Sequence, residues 1–427
     1  MKATSDKPIG EFTHRTTCRF CEGERLTKIL DFGRFPLAGG FLKKEDFQNE
    51  KYYPFNLNLC MDCFLVQISD VVPADVLFKQ NYFFFSSAIG TLVEHFKSFA
   101  HETYYRFLQG KQYPSAFELG CNDGVLLKPL AALGVRSVGI DPATNVVNSI
   151  DSKDITVIND YFSESRAHEI REKYGQFDVF LSSYSFAHID NMIDILKGIQ
   201  CLLKEDGVLI IEIYYLGTLI DEMQYDMIYH EHMSYYSLKS LISFFKRFDM
   251  EIFDLQNIPG IRSGSVRFYV RKIGQRSEEI SPAVFRLMEY EEKKGFDQVE
   301  TYAKYAQRVA ETRIQLTGLL KKLKKEGKTI IGYGASGRGT IIMNYCEIDG
   351  RYLDCVVDDA PAKQGYYTPG THVPIKSWDE ATKTKFPDYA VLFAWAFADE
   401  VIVRRKDYLQ RGGKFIVPLP ELKLVSS

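Results

Sequence analysis

A chain of 427 residues, 45% hydrophobic and 26% charged, is too long for one core and too ordinary in composition for a disordered, collagen-like or disulfide-stapled protein, so two or three globular domains are expected. A formal net charge of -3 gives no global attraction to nucleic acid or to an anionic membrane, and no apolar run reaches the length of a membrane span. With no apolar leader core in MKATSDKPIGEF, a cytoplasmic protein with neither a nucleic-acid nor a membrane partner is expected.

Residues 1–75 read as a zinc-binding domain. Cys18-x2-Cys21 and, 38 residues later, Cys60-x2-Cys63 each place two thiolates on one tight turn, and two such turns supply the tetrahedral ligands of a structural zinc site. A redox dithiol would need only one such pair, in a βαβ setting. Four cysteines leave no open coordination position, so zinc here is expected to fold the domain and not to catalyse. The stretches Phe32–Leu37 and Tyr52–Phe55 look like aromatic strand and turn material between the pairs. Cys121, Cys201, Cys346 and Cys355 are scattered and expected as buried small hydrophobes.

Residues 76–275 read as a second domain. The run NYFFFSS offers Tyr82 as a pocket residue or as aromatic strand edge, and residues 88–108, with Leu92, Phe96 and Phe99 on one face, predict a helix. A strand then runs through Glu118 into a turn carrying Gly120, Asn122 and Gly124, and a second strand, Ser137–Ile140, ends in Asp141, placed for ribose hydroxyls. This pattern serves both dinucleotides and S-adenosylmethionine. Glu118 separates them, because a carboxylate repels a pyrophosphate and suits a sulfonium or amino group. Strands at Ile155–Ile158, Phe177–Leu181 and Gly207–Glu212 with helices between continue a doubly wound sheet, which places Asp160 and Phe162 near an adenine. His188 and Tyr214 fall just past two of these strands, on the rim of the turn.

The stretch YDMIYHEHMSYY, residues 225–236, follows. Two of the chain's eight histidines, a glutamate and four tyrosines in twelve residues form a candidate acid/base centre, since histidine titrates near neutrality and a neighbouring carboxylate or phenol sets its tautomer. A hairpin-like pair, Met250–Leu255 and Gly264–Val270, closes the domain and carries Arg267.

Residues 276–427 open with one or two long helices over 280–325, whose basic end, Lys321 to Lys325, suits a helix C-terminus. The strand and turn TIIGYGASGRG then match GxGxxG, with Gly334, Ser336 and Arg338 in the turn and Asp358-Asp359 after the next strand. Either a nucleotide-like ligand or glycine-tight packing of helix on sheet accounts for it. Strands at Ala390–Ala394 and Lys414–Pro418 complete the unit. The fold expected is α/β: a zinc-binding N-terminal domain followed by two Rossmann-like doubly wound domains.

The two CxxC pairs, ELGCNDG, AHID, IYHEH, GSVRFYV, GYGASGRGT and VVDDAPAKQGYYTPGTHVPI, in this order over nearly the whole chain, resemble the sugar C-methyltransferases, which use S-adenosylmethionine to methylate C3 of nucleotide-linked 4-keto-deoxysugars. Two positions depart from the family pattern: Asn122 replaces the middle glycine of the cofactor turn, and Gly337-Arg338 stands where Ala-Lys is usual. The resemblance implies S-adenosylmethionine at Tyr82, Glu118, Gly120, Asn122, Gly124, Asp141, Asp160 and Phe162, and structural zinc at the four paired cysteines. For a 4-keto sugar it makes His232 the base, with Tyr229 and Glu231 orienting it or stabilising the enolate and His188 donating to the C4 oxygen; His188 or His230 is the next candidate base. Tyr214, His230, Arg267, Gly334, Ser336 and Arg338 become the substrate contacts, in a monomer or weak homo-oligomer. The rival readings are a nicotinamide oxidoreductase built on GYGASG and a non-catalytic zinc-bearing scaffold.

Overall fold

The computed structural model describes residues 8–79, 84–260, 264–275, 278–383 and 385–427. Tyr82 lies outside the described residues.

The aromatic runs between the cysteine pairs form an antiparallel pair, Leu26–Phe35 with Tyr53–Cys60, running from Leu26 opposite Cys60 to Phe35 opposite Tyr53 with register shifts after Lys28 and Asp31. Phe32 and Phe55 stack across it at 4.6 Å, and the short strand Val66–Ile68 extends the sheet. A fourth strand arrives from far along the chain: Ser234 pairs with Gln67 and Tyr235 with Val66. The end of the candidate acid/base stretch is therefore a strand of the N-terminal sheet.

The second sheet has seven strands, in the order Met250–Ile258, Ser265–Lys272, Leu203–Tyr214, Phe177–Ser183, Ser115–Leu119, Arg136–Ile140 and Ile155–Ile158. Only Ser265–Lys272 runs against the rest. Ser115–Leu119 is buried along its whole length, as expected of a parallel strand covered on both faces. The helix Gly90–Thr103 covers one face through Leu92, Phe96 and Phe99, and Met192–Leu202 covers the other through Ile195, Leu196 and Ile199. Strand order reverses between Ser115–Leu119 and Phe177–Ser183, and beyond their carboxyl ends a cleft opens.

The expected helical stretch over 280–325 is two helices, Pro282–Lys294 and Val299–Lys325, parted at Gly295. The longer one buries Tyr302, Tyr305, Val309 and Leu316 and packs against the N-terminal strand Leu26–Phe35. The third sheet runs Ile375–Lys376, Val356–Val357, Ile330–Tyr333, Tyr389–Leu392, Lys414–Val417, Lys423–Val425, parallel except for the last. Of the scattered cysteines Cys121, Cys346 and Cys355 are buried as expected, whereas Cys201 keeps accessible surface beside His168.

Candidate active site and zinc centre

The four paired cysteines converge, with all Sγ atoms within 4.8 Å of one another. Cys18 and Cys63 lie 3.5 Å apart, as do Cys21 and Cys60, close to the roughly 3.8 Å between sulfurs around a tetrahedral zinc. The two turns repeat each other. In each, the residue after the second cysteine is left-handed, Glu22 at φ 61° and Phe64 at φ 63°, and the first cysteine's N–H closes the loop by donating to Gly23 or Leu65 at 2.9 Å. Backbone N–H groups of Phe20 and Asp62 and the Gln67 amide donate to the sulfurs, as thiolate ligands require. The residues present fit a closed structural zinc site.

Arg19, between the first two cysteines, is only 1% exposed. Gln67 accepts from its backbone N–H at 3.1 Å, Ile68 accepts from its Nη1, and its Nε donates to Asp190 at 3.0 Å. Asp190 lines the cleft of the second domain, so the zinc turn reaches a wall of that cleft.

The cleft holds about 290 Å³. Five acidic residues line it, Glu118, Asp141, Asp160, Asp190 and Asp194, with no Lys or Arg among the described lining residues, which suits a cationic ligand and opposes a phosphate. Asp141 accepts from the N–H groups of Asn122 and Ala143, both at 2.9 Å. Glu118 is 3% exposed, one of its oxygens has no hydrogen-bond partner, and burial beside Asp141 and Asp123 pushes its carboxyl well above the usual range. A buried, unsatisfied carboxyl facing an acidic cleft fits the sulfonium and amino groups of S-adenosylmethionine. Gly120, at φ 72°, has no room for a side chain because Ser185 crosses it: a Cβ there would lie 1.9 Å from Ser185 Oγ. Asn122 and Phe162 line the cleft as expected, whereas Gly124 stands beside Ile155, behind the turn.

At the cleft's edge His188 is stacked between Phe78 and His232, at 5.3 and 5.2 Å and both within 14° of parallel. Tyr229 lies 4.0 Å and Tyr214 5.2 Å from the His232 ring. The loop is stitched on both sides: Met233 N–H donates to Ala187 O at 2.6 Å, and Met233 O accepts from Ile68 N–H at 3.0 Å. His232 Nδ1 lies 2.8 Å from Met227 O. A carbonyl can only accept, so Nδ1 carries the hydrogen and the lone pair is on Nε2. His230 points the other way. Its Nε2 donates to Pro54 O at 3.1 Å, the ring packs on Tyr53 and Phe55, and burial pushes its pKa down to about 4. It serves the joint with the N-terminal sheet and does not face the cleft.

Glu231 lies against the loop of Gly39: a Cβ there would sit 3.7 Å from its Oε1. Burial pushes this carboxyl up to about 7. From the third domain Arg338 reaches the same loop, with Nε 2.8 Å and Nη2 3.2 Å from the carboxylate of Asp226, which is fully buried and also accepts from Trp395 Nε1 at 2.7 Å. Burial opposes the Arg338 charge and Asp226 outweighs it, with Tyr229 and Tyr214 adding to the stabilisation.

Arg267 is not brought to this rim. It is 2% exposed, paired with Glu212 at 2.7 and 2.9 Å and with Glu102 at 2.7 Å, over the Phe99 ring, so its donors serve the sheet. The GxGxxG turn is filled by protein as well. A Cβ on Gly334, at φ 97°, would lie 2.6 Å from Ala394 Cβ, Ser336 caps the following helix, and Gly337 faces Ala38. Asp359 is held by Tyr333, Arg404 and Arg405, and Asp358 by Ala360 N–H and Lys363. The acids that a dinucleotide ribose would need are engaged, which removes the ground for an oxidoreductase. Arg19, Asp190 and Asp226 lie inside the first CxxC, AHID and the 225–236 stretch without being singled out there, and Trp395 lies in no motif at all.

An acidic cofactor cleft, a histidine pair at its edge and a four-cysteine centre define an S-adenosylmethionine-dependent methyltransferase with a zinc-binding module. The chain matches three families, described as a putative zinc binding domain over residues 18–78, a methyltransferase domain over 93–255 and a C-methyltransferase C-terminal domain over 260–420. It is 31% identical to the C-methyltransferase NovU of Streptomyces niveus over 99% of this chain and 98% of that one. It belongs to this C-methyltransferase family. A shorter match, 28% identical, links 28% of the chain to 46% of the ubiquinone biosynthesis O-methyltransferase of Azorhizobium caulinodans. Among solved structures, the glycopeptide N-methyltransferase MtfA complexed with S-adenosyl-L-methionine aligns with 42% of this chain and 87% of its own, at 12% identity and a TM-score of 0.32. No helix among the described residues is long and apolar enough to cross a membrane.

Proposed function

We propose that this C-methyltransferase methylates C3 of a nucleotide-linked 4-keto-deoxysugar through an enolate, in the making of a branched-chain sugar. The observation that carries this reading is the His232 ring, protonated on Nδ1 by its bond to Met227 O and stacked on His188 at the cofactor cleft. S-adenosylmethionine, when bound, supplies a methyl group made electrophilic by its sulfonium.

His232 Nε2 takes the proton from C3, which the neighbouring ketone makes acidic, and the ring is then cationic. His188, on the cleft side, donates to the C4 oxygen as negative charge builds there, and the Tyr229 hydroxyl and, in its protonated form, the Glu231 carboxyl are further donors. Tyr214 and Arg338 frame the sugar side of the pocket. Ser336 and Gly334 act through the backbone of the turn that places Arg338. Phe78, stacked on His188 at the cleft, limits water at the carbanion.

The test is to incubate the protein with methyl-labelled S-adenosylmethionine and a panel of nucleoside-diphosphate 4-keto-sugars, reading label by mass spectrometry. Label on a ring carbon next to the ketone supports the reading. Label on oxygen or nitrogen, or none with any 4-keto sugar, overturns it.

A further inference from the structure

Asn122 occupies the place where a glycine is usual, and its backbone is left-handed at φ 48°. Its side-chain amide is taken up by protein backbone. Oδ1 accepts from Ser86 N–H at 2.9 Å and Nδ2 donates to Phe84 O at 3.0 Å, so the amide grips one backbone segment from two sides. The next residue repeats the hold, with Asp123 Oδ2 accepting from Ser87 N–H at 2.9 Å. Phe84 and Ser86 both line the cofactor cleft. Asn122 N–H meanwhile donates to Asp141 Oδ2 at 2.9 Å, on the opposite wall.

We propose that Asn122 is a positioning residue for cofactor retention: it fixes the segment Phe84–Ser87 as a wall of the cleft and does not hold the cofactor by direct contact. Few residue types meet the requirement. The position needs a donor and an acceptor on one short side chain and a residue that tolerates the left-handed region, which asparagine does better than most. Glycine accepts the backbone and offers neither group. Aspartate lacks the donor. The departure from the glycine pattern is thus a gain of two hydrogen bonds to a wall of the cleft. This inference is independent of the sugar reading, since cofactor binding needs no sugar.

The decisive variant is Asn122→Gly in the full-length, zinc-loaded protein, because glycine relieves the backbone instead of straining it. Two readings are taken: calorimetric titration with S-adenosylhomocysteine, and amide hydrogen exchange of the peptide spanning residues 84–88 in the cofactor-free protein. The expected result is affinity weakened about 5- to 30-fold, the scale of two hydrogen bonds, together with faster exchange in that peptide. Asp123→Ala, which cuts the Ser87 tie and also removes a charge beside Glu118, is read by exchange alone, and it is expected to speed exchange in that peptide by less than Asn122→Gly does. Unchanged affinity in Asn122→Gly overturns the inference. So does weakened affinity with unchanged exchange, which would make Asn122 a direct cofactor contact.

Discussion

Arg19 stands between the two cysteines of the first pair, and its Nε donates to Asp190 Oδ1 at 3.0 Å, joining the zinc turn to a wall of the cofactor cleft. Arg15 reinforces the contact with Nη1 3.1 Å from both oxygens of the same carboxylate. The N-terminal module thus shapes the cofactor site without lending it a catalytic group.

Arg19→Gln is expected to lower stability by about 1–3 kcal/mol, because Ile68 O, Gln67 Oε1 and the Asp190 carboxylate lose their charged donor, and to weaken S-adenosylhomocysteine binding. Denaturant unfolding and calorimetry read the two effects.

Removing zinc with a chelator should unfold the N-terminal module and with it abolish cofactor binding, as expected of a closed structural site. Refilling with cadmium or cobalt should restore both binding and methyl transfer, because no coordination position is open for chemistry. Circular dichroism and titration follow the first effect, and labelled methyl transfer the second.

Asp226 is fully buried and holds both Arg338 and Trp395 Nε1, two residues before Ile228 and three before Tyr229. Asp226→Asn leaves the partly buried Arg338 without its counter-charge, and the expected cost is below the roughly 3–5 kcal/mol of a fully buried pair. Arg338→Lys keeps the charge while giving up the two-pronged bond, so it should retain more activity than Arg338→Met. In both Arg338 variants kcat should fall more than cofactor affinity, a split visible by comparing turnover with S-adenosylhomocysteine titration.

Burial pushes Glu231 up to about 7 from an ordinary 4.5. The folded state therefore holds this proton more tightly than the unfolded chain does, so the associated stability is present in full below about 4.5 and is lost as pH rises through 7. Glu231→Gln, neutral throughout, should show a smaller fall in thermal stability across that window than the parent protein. Its turnover should also decline less on the alkaline side, where the parent loses a hydrogen-bond donor.

Much of this was legible in the sequence because the signals were local. CxxC pairs, an acid-bearing glycine turn and strands alternating with helices depend on neighbours within a few residues, and the structure realises each of them. What escaped was long-range. The strand Ser234–Tyr235 is two residues long, too short for any periodicity, and its partner Val66–Gln67 lies in another domain. Beside that pairing the two histidines part, His230 bonding to Pro54 O and His232 stacking on His188. Arg267 misled because an arginine in a strand near the cleft looks like an anion contact, and only the positions of Glu212 and Glu102 show it consumed by the protein. For the GxGxxG turn the packing alternative is the one its neighbours favour, with Gly334 against Ala394, Gly337 against Ala38, Asp359 held by Tyr333, Arg404 and Arg405, and Asp358 by Lys363.

The central claim is that His232 removes the C3 proton. Its most direct test is wash-in of solvent deuterium at C3 of a nucleoside-diphosphate 4-keto-deoxysugar, with S-adenosylhomocysteine in the cofactor cleft so that no methyl is transferred. The parent protein should exchange that position, and His232→Asn should lose the exchange by roughly 10²- to 10⁴-fold while still binding S-adenosylhomocysteine with parent affinity. Near-parent exchange in His232→Asn would contradict the assignment and move the base to His188.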